Sequence, residues 1–353
     1  MPNLRILTFG AGALGIYIGG SLAMEGEQLV FLERPEVAER LRNQGLRLDL
    51  TMDRRRHFNG ATVLGSSSFV AVPSLQDALR YGPFDIAIFA LKSFDTAEAV
   101  EGMQPFAERM PPILCLSNGV DNEAALANLL GRDRVIPGTV TSAIGRHGPG
   151  DIVLERLRGV GIASTHPLSG KLLEIFNAAF LNAQGFSNTA AMKWSKMLTN
   201  LIANPTSAIL DMTAAEIFAD RRLFEIEVRM LRECIDVMTA QGIPVVDLPG
   251  VPVRVLAMAT RLPLWLSRPL LARAAGTGRG AKMPSFHIDL HSGRGKSEVE
   301  FLHGAIVRAG EKFGVPTPIN KALTETLMAL TTKQVPLAEF EHQPEKLLRR
   351  LLV

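Results

Sequence analysis

Three polar residues near the middle of the chain recur at intervals of four: Lys196, Asn200 and Asn204. On a helix, that spacing places all three side chains on one face. If the face lines a cleft, the lysine can donate a proton to an oxygen that gains negative charge, and the two amides can hold a small polar substrate through hydrogen bonds. If the face is instead open to solvent, the three residues are ordinary surface residues without a functional role. Features elsewhere in the chain distinguish these two interpretations.

The residues between these three predict the helix that such a face requires. Met197, Leu198, Leu201 and Ile202 recur at helical spacing and would form its buried side. Similar apolar patterns predict helices at residues 189–210, 214–241, 297–313 and 318–332. We therefore predict a mainly α-helical domain over residues 189–353.

A glycine-rich loop follows the first predicted strand of the chain. Residues 4–9 have the pattern of a buried parallel strand, residues 16–24 have an apolar helical pattern, and between them stands Gly10-Ala11-Gly12-Ala13-Leu14-Gly15. Strand, loop and helix in this order form the dinucleotide-binding fingerprint, in which the pyrophosphate lies at the helix N-terminus. This context favours a nucleotide site over a purely structural turn.

The next predicted strand, residues 28–32, ends at Glu33 and Arg34, where the adenosine ribose should lie. Glu33 could accept a hydrogen bond from the 2′-hydroxyl of NAD, whereas Arg34 could pair with the 2′-phosphate of NADP. The two residues thus indicate different cofactors. We favour NADPH over NADH, because a guanidinium that faces a phosphate gains a charge-assisted contact that NADH cannot offer.

Predicted strands at residues 85–91 and 113–117 continue the alternation of strands and helices. Lys92 follows the first of them and Asn118 the second. Ligands of doubly wound sheets bind at the carboxyl ends of the strands, so both residues are candidates for cofactor or substrate contacts, although a surface lysine and an Asn-Gly turn would look the same. We predict an α/β protein, in which a Rossmann-type doubly wound sheet over residues 1–188 precedes the helical domain.

Composition limits the classes of partner. The net charge of +3 gives no reason to propose nucleic acid. No apolar run reaches the ~18 residues of a spanning helix, and no signal-peptide pattern precedes the first strand. Cys115 and Cys234 fall in a predicted buried strand and helix, which is typical of a reducing compartment. We expect a cytoplasmic protein.

A basic segment at residues 248–288 contains prolines, and it has no acidic residue between Leu248 and His287. Its cationic residues are Arg254, Arg261, Arg268, Arg273, Arg279 and Lys282. They could form an amphipathic surface for a membrane or an acidic partner. Pro263 and Pro269 should break any long helix here, so we favour a lid over a substrate cleft or a contact in a homodimer.

Two histidines near the end of this segment, His287 and His291, are four apart with Asp289 between them. This spacing could hold a metal ion. Because the sequence offers no clear third ligand, we expect no metal.

Taken together, these features resemble the ketopantoate reductase (2-dehydropantoate 2-reductase) family over residues 4 to about 330. The motifs that carry the resemblance are L-K-S at 91–93, L-S-N-G-V at 116–120, W-x-K-x3-N-x3-N-P at 194–205 and S-x3-D…G-R…E at 285–298. Several motifs in the family's order are much harder to meet by chance than any one of them.

The resemblance implies a role for each candidate residue, with Lys196 as the general acid. A hydride delivered to a ketone leaves an alkoxide, which a nearby ammonium group stabilises and protonates. The implied substrate contacts are Asn118, Asn200, Asn204 and Ser285. The implied cofactor contacts are the loop of residues 10–15, Arg34, Lys92, Asn118 and Glu298. The substrate implied is ketopantoate, a small 2-oxo acid, and the cofactor NADPH.

Departures from the family pattern leave the choice of substrate open. Thr213-Ala214 stands where the family commonly has Asn-Gly, Phe286-His287 replaces an apolar pair, and the basic segment is longer than is common. A family member that reduces a different 2-oxo acid or ketone is one alternative. A non-catalytic NAD(P)-binding sensor or interaction protein is another, but neither needs a proton donor, and the presence of Lys196 argues against both.

Overall fold

The computed structural model describes residues 3–279 and 283–351, and it describes side chains there outside 272–279. Of the basic segment, Lys282 and the side chains of Arg273 and Arg279 lie outside the described part. The chain divides into two compact units. The first ends at Thr189 and also includes Leu248–Val251, and the second contains the rest of the chain.

The first unit is the α/β part of the molecule. Its strands are β1 Arg5–Phe9, β2 Gln28–Leu32, β3 Leu46–Asp49, β4 Thr62–Leu64, β5 Val70–Val72, β6 Ile86–Phe89, β7 Ile113–Cys115, β8 Val135–Val140, β9 Ala143–Gly148, β10 Asp151–Arg156, β11 Val160–Ala163 and β12 Ala183–Phe186. Its helices are α1 Ala13–Met24, α2 Pro35–Gln44, α3 Leu75–Ala78, α4 Thr96–Met103, α5 Asn122–Leu130 and α6 Ser169–Ala178.

The main sheet confirms the predicted Rossmann-type fold. Over the described residues its strands run in the order β12-β11-β8-β7-β6-β1-β2-β5, parallel from β8 to β5, while β11 is antiparallel to β8. Ile6 and Leu7 of β1 are fully buried and belong to the cores on opposite faces of the sheet, as expected for a strand covered on both sides. Because β7, β6, β1 and β2 are neighbours and run parallel, their carboxyl ends lie at the same edge of the sheet.

A second, smaller sheet in the first unit has the strand order β4-β3-β10-β9. Its β3 and β4 have only four and three residues, too few for an alternating pattern to be recognised in the sequence. This sheet was not predicted. It packs against α1, the helix that follows the glycine-rich loop.

The second unit is helical, as predicted. Its helices are α7 Thr189–Leu201, α8 Asn204–Leu210, α9 Ala214–Ala219, α10 Arg221–Ala240, α11 Val253–Arg261, α12 Leu264–Arg279, α13 Ser285–His291, α14 Val299–Phe313, α15 Pro318–Thr331 and α16 Pro344–Leu351. None of the helices over the described residues combines the length and the apolar character that a membrane crossing needs.

The single helix predicted for residues 189–210 is wrong, because the chain breaks between α7 and α8. Ala203 stands at the break with a left-handed φ of 50°. Pro205 has no N–H to donate, which a helix tolerates in its first turn, and a new helix accordingly begins at Asn204. Lys196 and Asn200 therefore share a face of α7, while Asn204 begins the next helix.

Two further helix predictions need correction. The predicted helix 214–241 is divided into α9 and α10 at Asp220, whose carboxylate accepts the N–H groups of Arg222 and Leu223 as an N-cap. In the basic segment, Pro263 does separate α11 from α12, but Pro269 lies inside α12 and does not end it. Pro269 has no N–H to donate to the carbonyl of the residue four positions earlier, Trp265. Trp265 is 74% exposed, so water can hydrogen-bond that carbonyl in place of the missing N–H.

Candidate active site

The glycine-rich loop has the shape that a dinucleotide requires. Gly10 has a φ of 88°, and a Cβ on Gly15 would lie 2.0 Å from the Gly10 carbonyl oxygen, so α1 can approach the loop this closely only without a side chain at residue 15. A Cβ on Gly12 would meet no described atom within 4 Å. The backbone of Gly12, at the N-terminus of α1, is thus accessible to a phosphate group, and the residues fit a dinucleotide.

The end of β2 carries the two residues that indicate different cofactors. Glu33 Oε2 accepts the Ala11 N–H at 2.9 Å, and Oε1 accepts the Arg34 N–H at 3.0 Å. The Arg34 side chain is 62% exposed, with its Nε 3.6 Å from Glu33 Oε1. The carboxylate of Glu33 is therefore attached to the glycine-rich loop, while the guanidinium of Arg34 extends into solvent beside it.

Lys92 and Asn118 lie on adjacent loops at the same edge of the sheet. Ser93 Oγ donates to the Asn118 carbonyl at 2.6 Å, and Ser117 Oγ donates to the Leu91 carbonyl at 2.7 Å. Asn122 Nδ2 donates to the same Asn118 carbonyl at 2.6 Å. These bonds hold the loops after β6 and β7 together. The serines and Asn122 were not singled out in the sequence, although Ser93 and Ser117 stand inside the two motifs quoted above.

In the second unit, Asn204 joins two of the other candidate residues. Its Nδ2 donates to the Asn200 carbonyl at 2.9 Å and to Ser285 Oγ at 3.3 Å, and its Oδ1 accepts the Phe286 N–H at 3.0 Å. Asn204 is 2% exposed, whereas Ser285 is exposed. Asn204 therefore fixes the start of α13, which carries Ser285, to the end of α7, which carries Lys196 and Asn200.

Glu227 of α10 holds the break between α7 and α8 in place. The residue is fully buried, its Oε2 accepts the Ala203 N–H at 2.7 Å, and its Oε1 accepts from Thr206 Oγ1 at 2.6 Å. Sequence reasoning missed this residue. The signal was an acidic residue on the apolar face of a helix, between Phe224 and Leu231, because a buried carboxylate must be hydrogen-bonded.

The remaining candidate residue of the second unit, Glu298, is 1% exposed and stands at the N-terminus of α14. The structure therefore brings Asn200, Asn204 and Ser285 into one bonded group, with Lys196 one turn before Asn200. Lys92, Asn118, Arg34 and the glycine-rich loop meet at one sheet edge of the first unit. Such a sheet binds a dinucleotide, and a helical unit with a lysine and amides supplies the polar groups that a nucleotide-dependent oxidoreductase requires.

Comparison with known families narrows this class. The family description "Ketopantoate reductase PanE/ApbA" matches residues 6–165, and its C-terminal counterpart matches residues 188–331. The chain belongs to the ketopantoate reductase family, a family of NAD(P)-dependent oxidoreductases.

Individual relatives agree with this assignment. A 2-dehydropantoate 2-reductase of Streptococcus pyogenes is 25% identical over 77% of this chain and 84% of its own length. The crystal structure of a ketopantoate reductase of this family from Ralstonia eutropha covers 94% of this chain and 99% of its own, with a TM-score of 0.77 and 26% identity. A D-mandelate dehydrogenase, solved with NADH and anilino(oxo)acetate, covers the same fractions with a TM-score of 0.74, and at 20% identity it shows the shared fold alone.

Proposed function

We propose that this protein reduces a small 2-oxo acid with NADPH, and that the substrate is ketopantoate, which is reduced to pantoate. The observation that carries the proposal is the bonded group of Asn200, Asn204 and Ser285 next to Lys196, in a chain of the ketopantoate reductase family. The names of the relatives, 2-dehydropantoate 2-reductase, support the choice of ketopantoate.

In the proposed reaction the second unit handles the substrate. Bound NADPH supplies the hydride that reaches the carbonyl carbon. Lys196 Nζ donates a proton to the carbonyl oxygen, so that the alkoxide becomes an alcohol and the charges balance. Asn200 and the exposed hydroxyl of Ser285 hydrogen-bond the substrate. Asn204 is buried and both ends of its amide are engaged by the protein, so we assign it to positioning these two residues.

The proposed cofactor contacts lie in the first unit. The loop of residues 10–15 binds the pyrophosphate with backbone N–H groups. Lys92 and Asn118 contact the cofactor from the loops after β6 and β7. Arg34 binds the 2′-phosphate of NADPH, because its exposed guanidinium has room to turn towards a phosphate. From the family resemblance we also assign Glu298 to the ribose of the cofactor and Asn118 to the substrate.

The proposal also includes a homodimer. Large apolar side chains of α11 and α12 are exposed, namely Val255, Met258, Trp265 and Leu270. Two arginines of the basic segment are engaged within their own unit: Arg254 Nε lies 2.9 Å from Asp247 Oδ2, and Arg268 Nε donates to the Phe218 carbonyl at 3.0 Å. This surface therefore fits an apolar contact better than an acidic partner.

The test of the proposed function is NADPH oxidation by the purified protein with ketopantoate, a panel of smaller and bulkier 2-oxo acids, and NADH in parallel. We expect saturable turnover of ketopantoate with NADPH. Preferred turnover of another acid would keep the reaction class and replace the substrate. If the protein binds cofactor but turns over no 2-oxo acid, the proposed function is wrong.

A further inference from the structure

A cluster of metal-ligating side chains lies in the second unit, at the opposite end of α8 from Asn204. His287 Nε2 lies 2.7 Å from Asp211 Oδ1, and the rings of His287 and His291 are 4.1 Å apart between centroids. One ligand atom from each of the three residues lies within 4.8 Å of the other two. The sequence pattern indicated the two histidines but not the third ligand, Asp211, because Asp211 precedes His287 by 76 residues.

The donor set and its spacing are those of a transition-metal site. Two imidazoles and a carboxylate are preferred ligands of Zn²⁺, and the same set accepts Co²⁺ and Ni²⁺. His287 and His291 are one turn apart on α13, so both rings leave the same face of the helix. Ligand atoms bound tetrahedrally to one Zn²⁺ at about 2.0–2.2 Å lie roughly 3.3–3.6 Å from one another, so the Asp211–His287 pair, now 2.7 Å apart, needs to open by less than about 1 Å.

The surrounding charges favour a cation. Asp211 also lies within 4.8 Å of ligand atoms of Glu341 and His342. Glu216 interacts electrostatically with Asp211 and His342 and adds a further carboxylate on this side. The side chains of Asp211 and His287 are 35% and 16% exposed, and His291 is exposed, so an ion can reach the cluster from solvent and keep water as a ligand.

We propose that Asp211, His287 and His291 form a binding site for one divalent transition-metal ion of the Zn²⁺ class. The ion links the end of α8 to α13, and these two helices are also joined at Asn204 and Ser285. A metal ion therefore strengthens the pairing that positions Ser285. Binding of the ion is independent of the proposed function, whereas an effect on the substrate through Ser285 depends on it.

The test uses the full chain without a histidine tag, treated with a chelator and then titrated with Co²⁺ and Zn²⁺. We expect one equivalent of Co²⁺ to produce visible absorption bands of a low-symmetry site, and Zn²⁺ to displace it. His291→Ala should weaken binding by at least about tenfold, and Asp211→Asn should do the same. His147→Ala, which removes an exposed histidine of the first unit, is the matched control and should leave binding unchanged.

A second measurement separates binding from effects on folding. Zn²⁺ should raise the melting temperature of the wild-type chain and of His147→Ala, but not that of His291→Ala, whose exposed position makes the substitution harmless to the fold. Absence of saturable binding, or wild-type affinity in His291→Ala, overturns the proposal. If Zn²⁺ binds but leaves the KM for ketopantoate unchanged, the effect through Ser285 is wrong and the metal site stands.

Discussion

The buried carboxylate of Glu227 accepts the backbone N–H of Ala203 at 2.7 Å, at the point where α7 ends and α8 begins. This bond satisfies an N–H that the break would otherwise leave buried without a partner. It fixes the backbone at Ala203 and so sets the direction in which α8, beginning at Asn204, departs from the end of α7. A residue of α10 thus controls the geometry of the proposed substrate group without belonging to it.

Replacing Glu227 with leucine should therefore lower both stability and activity. The Ala203 N–H and the Thr206 hydroxyl would be buried without their acceptor, at a loss of about 1–3 kcal/mol each in the free energy of unfolding. Urea denaturation and steady-state kinetics would measure the two effects. The matched control is Glu225→Leu on the exposed side of the same helix. Equal stability in the two variants would contradict the role assigned to Glu227.

Lys196→Ala should abolish proton donation while leaving the first unit intact. We expect turnover to fall by about 10²–10⁴-fold, with NADPH affinity unchanged. Lys196→Arg keeps the positive charge but holds its proton too tightly to donate it, so this variant should also be slow. Steady-state rates and cofactor fluorescence titrations check both variants. Turnover near the wild-type rate in Lys196→Ala would remove the lysine from the mechanism.

The glycines of the loop should respond differently to alanine. Gly15→Ala places a Cβ 2.0 Å from a backbone oxygen and should lower the melting temperature. Gly12→Ala meets no described atom within 4 Å and should fold normally, yet its methyl group should weaken cofactor binding by roughly tenfold, since the backbone must approach the pyrophosphate there. Melting curves and cofactor titrations of the two variants would be compared. Unchanged cofactor affinity in Gly12→Ala would mean that the pyrophosphate binds elsewhere.

Arg34→Ala tests the choice of cofactor. Loss of a charge-assisted contact with the 2′-phosphate should raise KM for NADPH by roughly tenfold and leave KM for NADH nearly unchanged. The companion variant, Glu33→Gln, removes the neighbouring negative charge. It should therefore lower the KM for NADPH relative to the KM for NADH. A preference for NADPH that survives in Arg34→Ala would show that another residue recognises the phosphate.

His303 should make stability depend on pH. Burial lowers the pKa of His303 from its ordinary value of 6.5 to about 4, although the hydrogen bond with Asn320 acts in the opposite direction. The unfolded chain therefore takes up a proton below pH 6.5 while the folded chain does not, and stability falls as pH decreases from 6.5 towards 4. Above that range the contribution is fully present. The loss should approach on the order of 3 kcal/mol.

Urea denaturation between about pH 7 and about pH 4 would measure this slope. His303→Gln keeps a side chain that can donate to Asn320 Oδ1, 2.9 Å from His303 Nδ1 in the structure, but it cannot titrate. The slope should be smaller in this variant, and His147→Gln at an exposed site should behave like the wild type. Identical slopes in His303→Gln and the wild type would assign the pH dependence to other groups.

The dinucleotide half of the fold was predictable because its signals are local. The strand that ends at Phe9, the glycine-rich loop and α1 follow one another without interruption, and β2 was predicted with its observed bounds. Lys92 and Asn118 could also be placed at one sheet edge, because the carboxyl ends of neighbouring parallel strands must meet there. For these residues, spacing along the chain and the geometry of parallel strands were sufficient.

Tertiary contacts decided the features that local patterns missed. Apolar periodicity continues through Ala203, and the break there becomes visible only with Glu227, which is 24 residues away. The continuation of α12 through Pro269 depends on solvent at Trp265, and the grouping of Asp211 with His287 depends on how α8 packs against α13. Sequence alone determined the first strands of the main sheet, the helical character of the second unit and the kinds of side chain that they carry. Which distant side chains meet was decided by the packing of those elements, because a hydrogen bond or a metal ligand requires contact within a few ångströms, and spacing in sequence does not specify that distance.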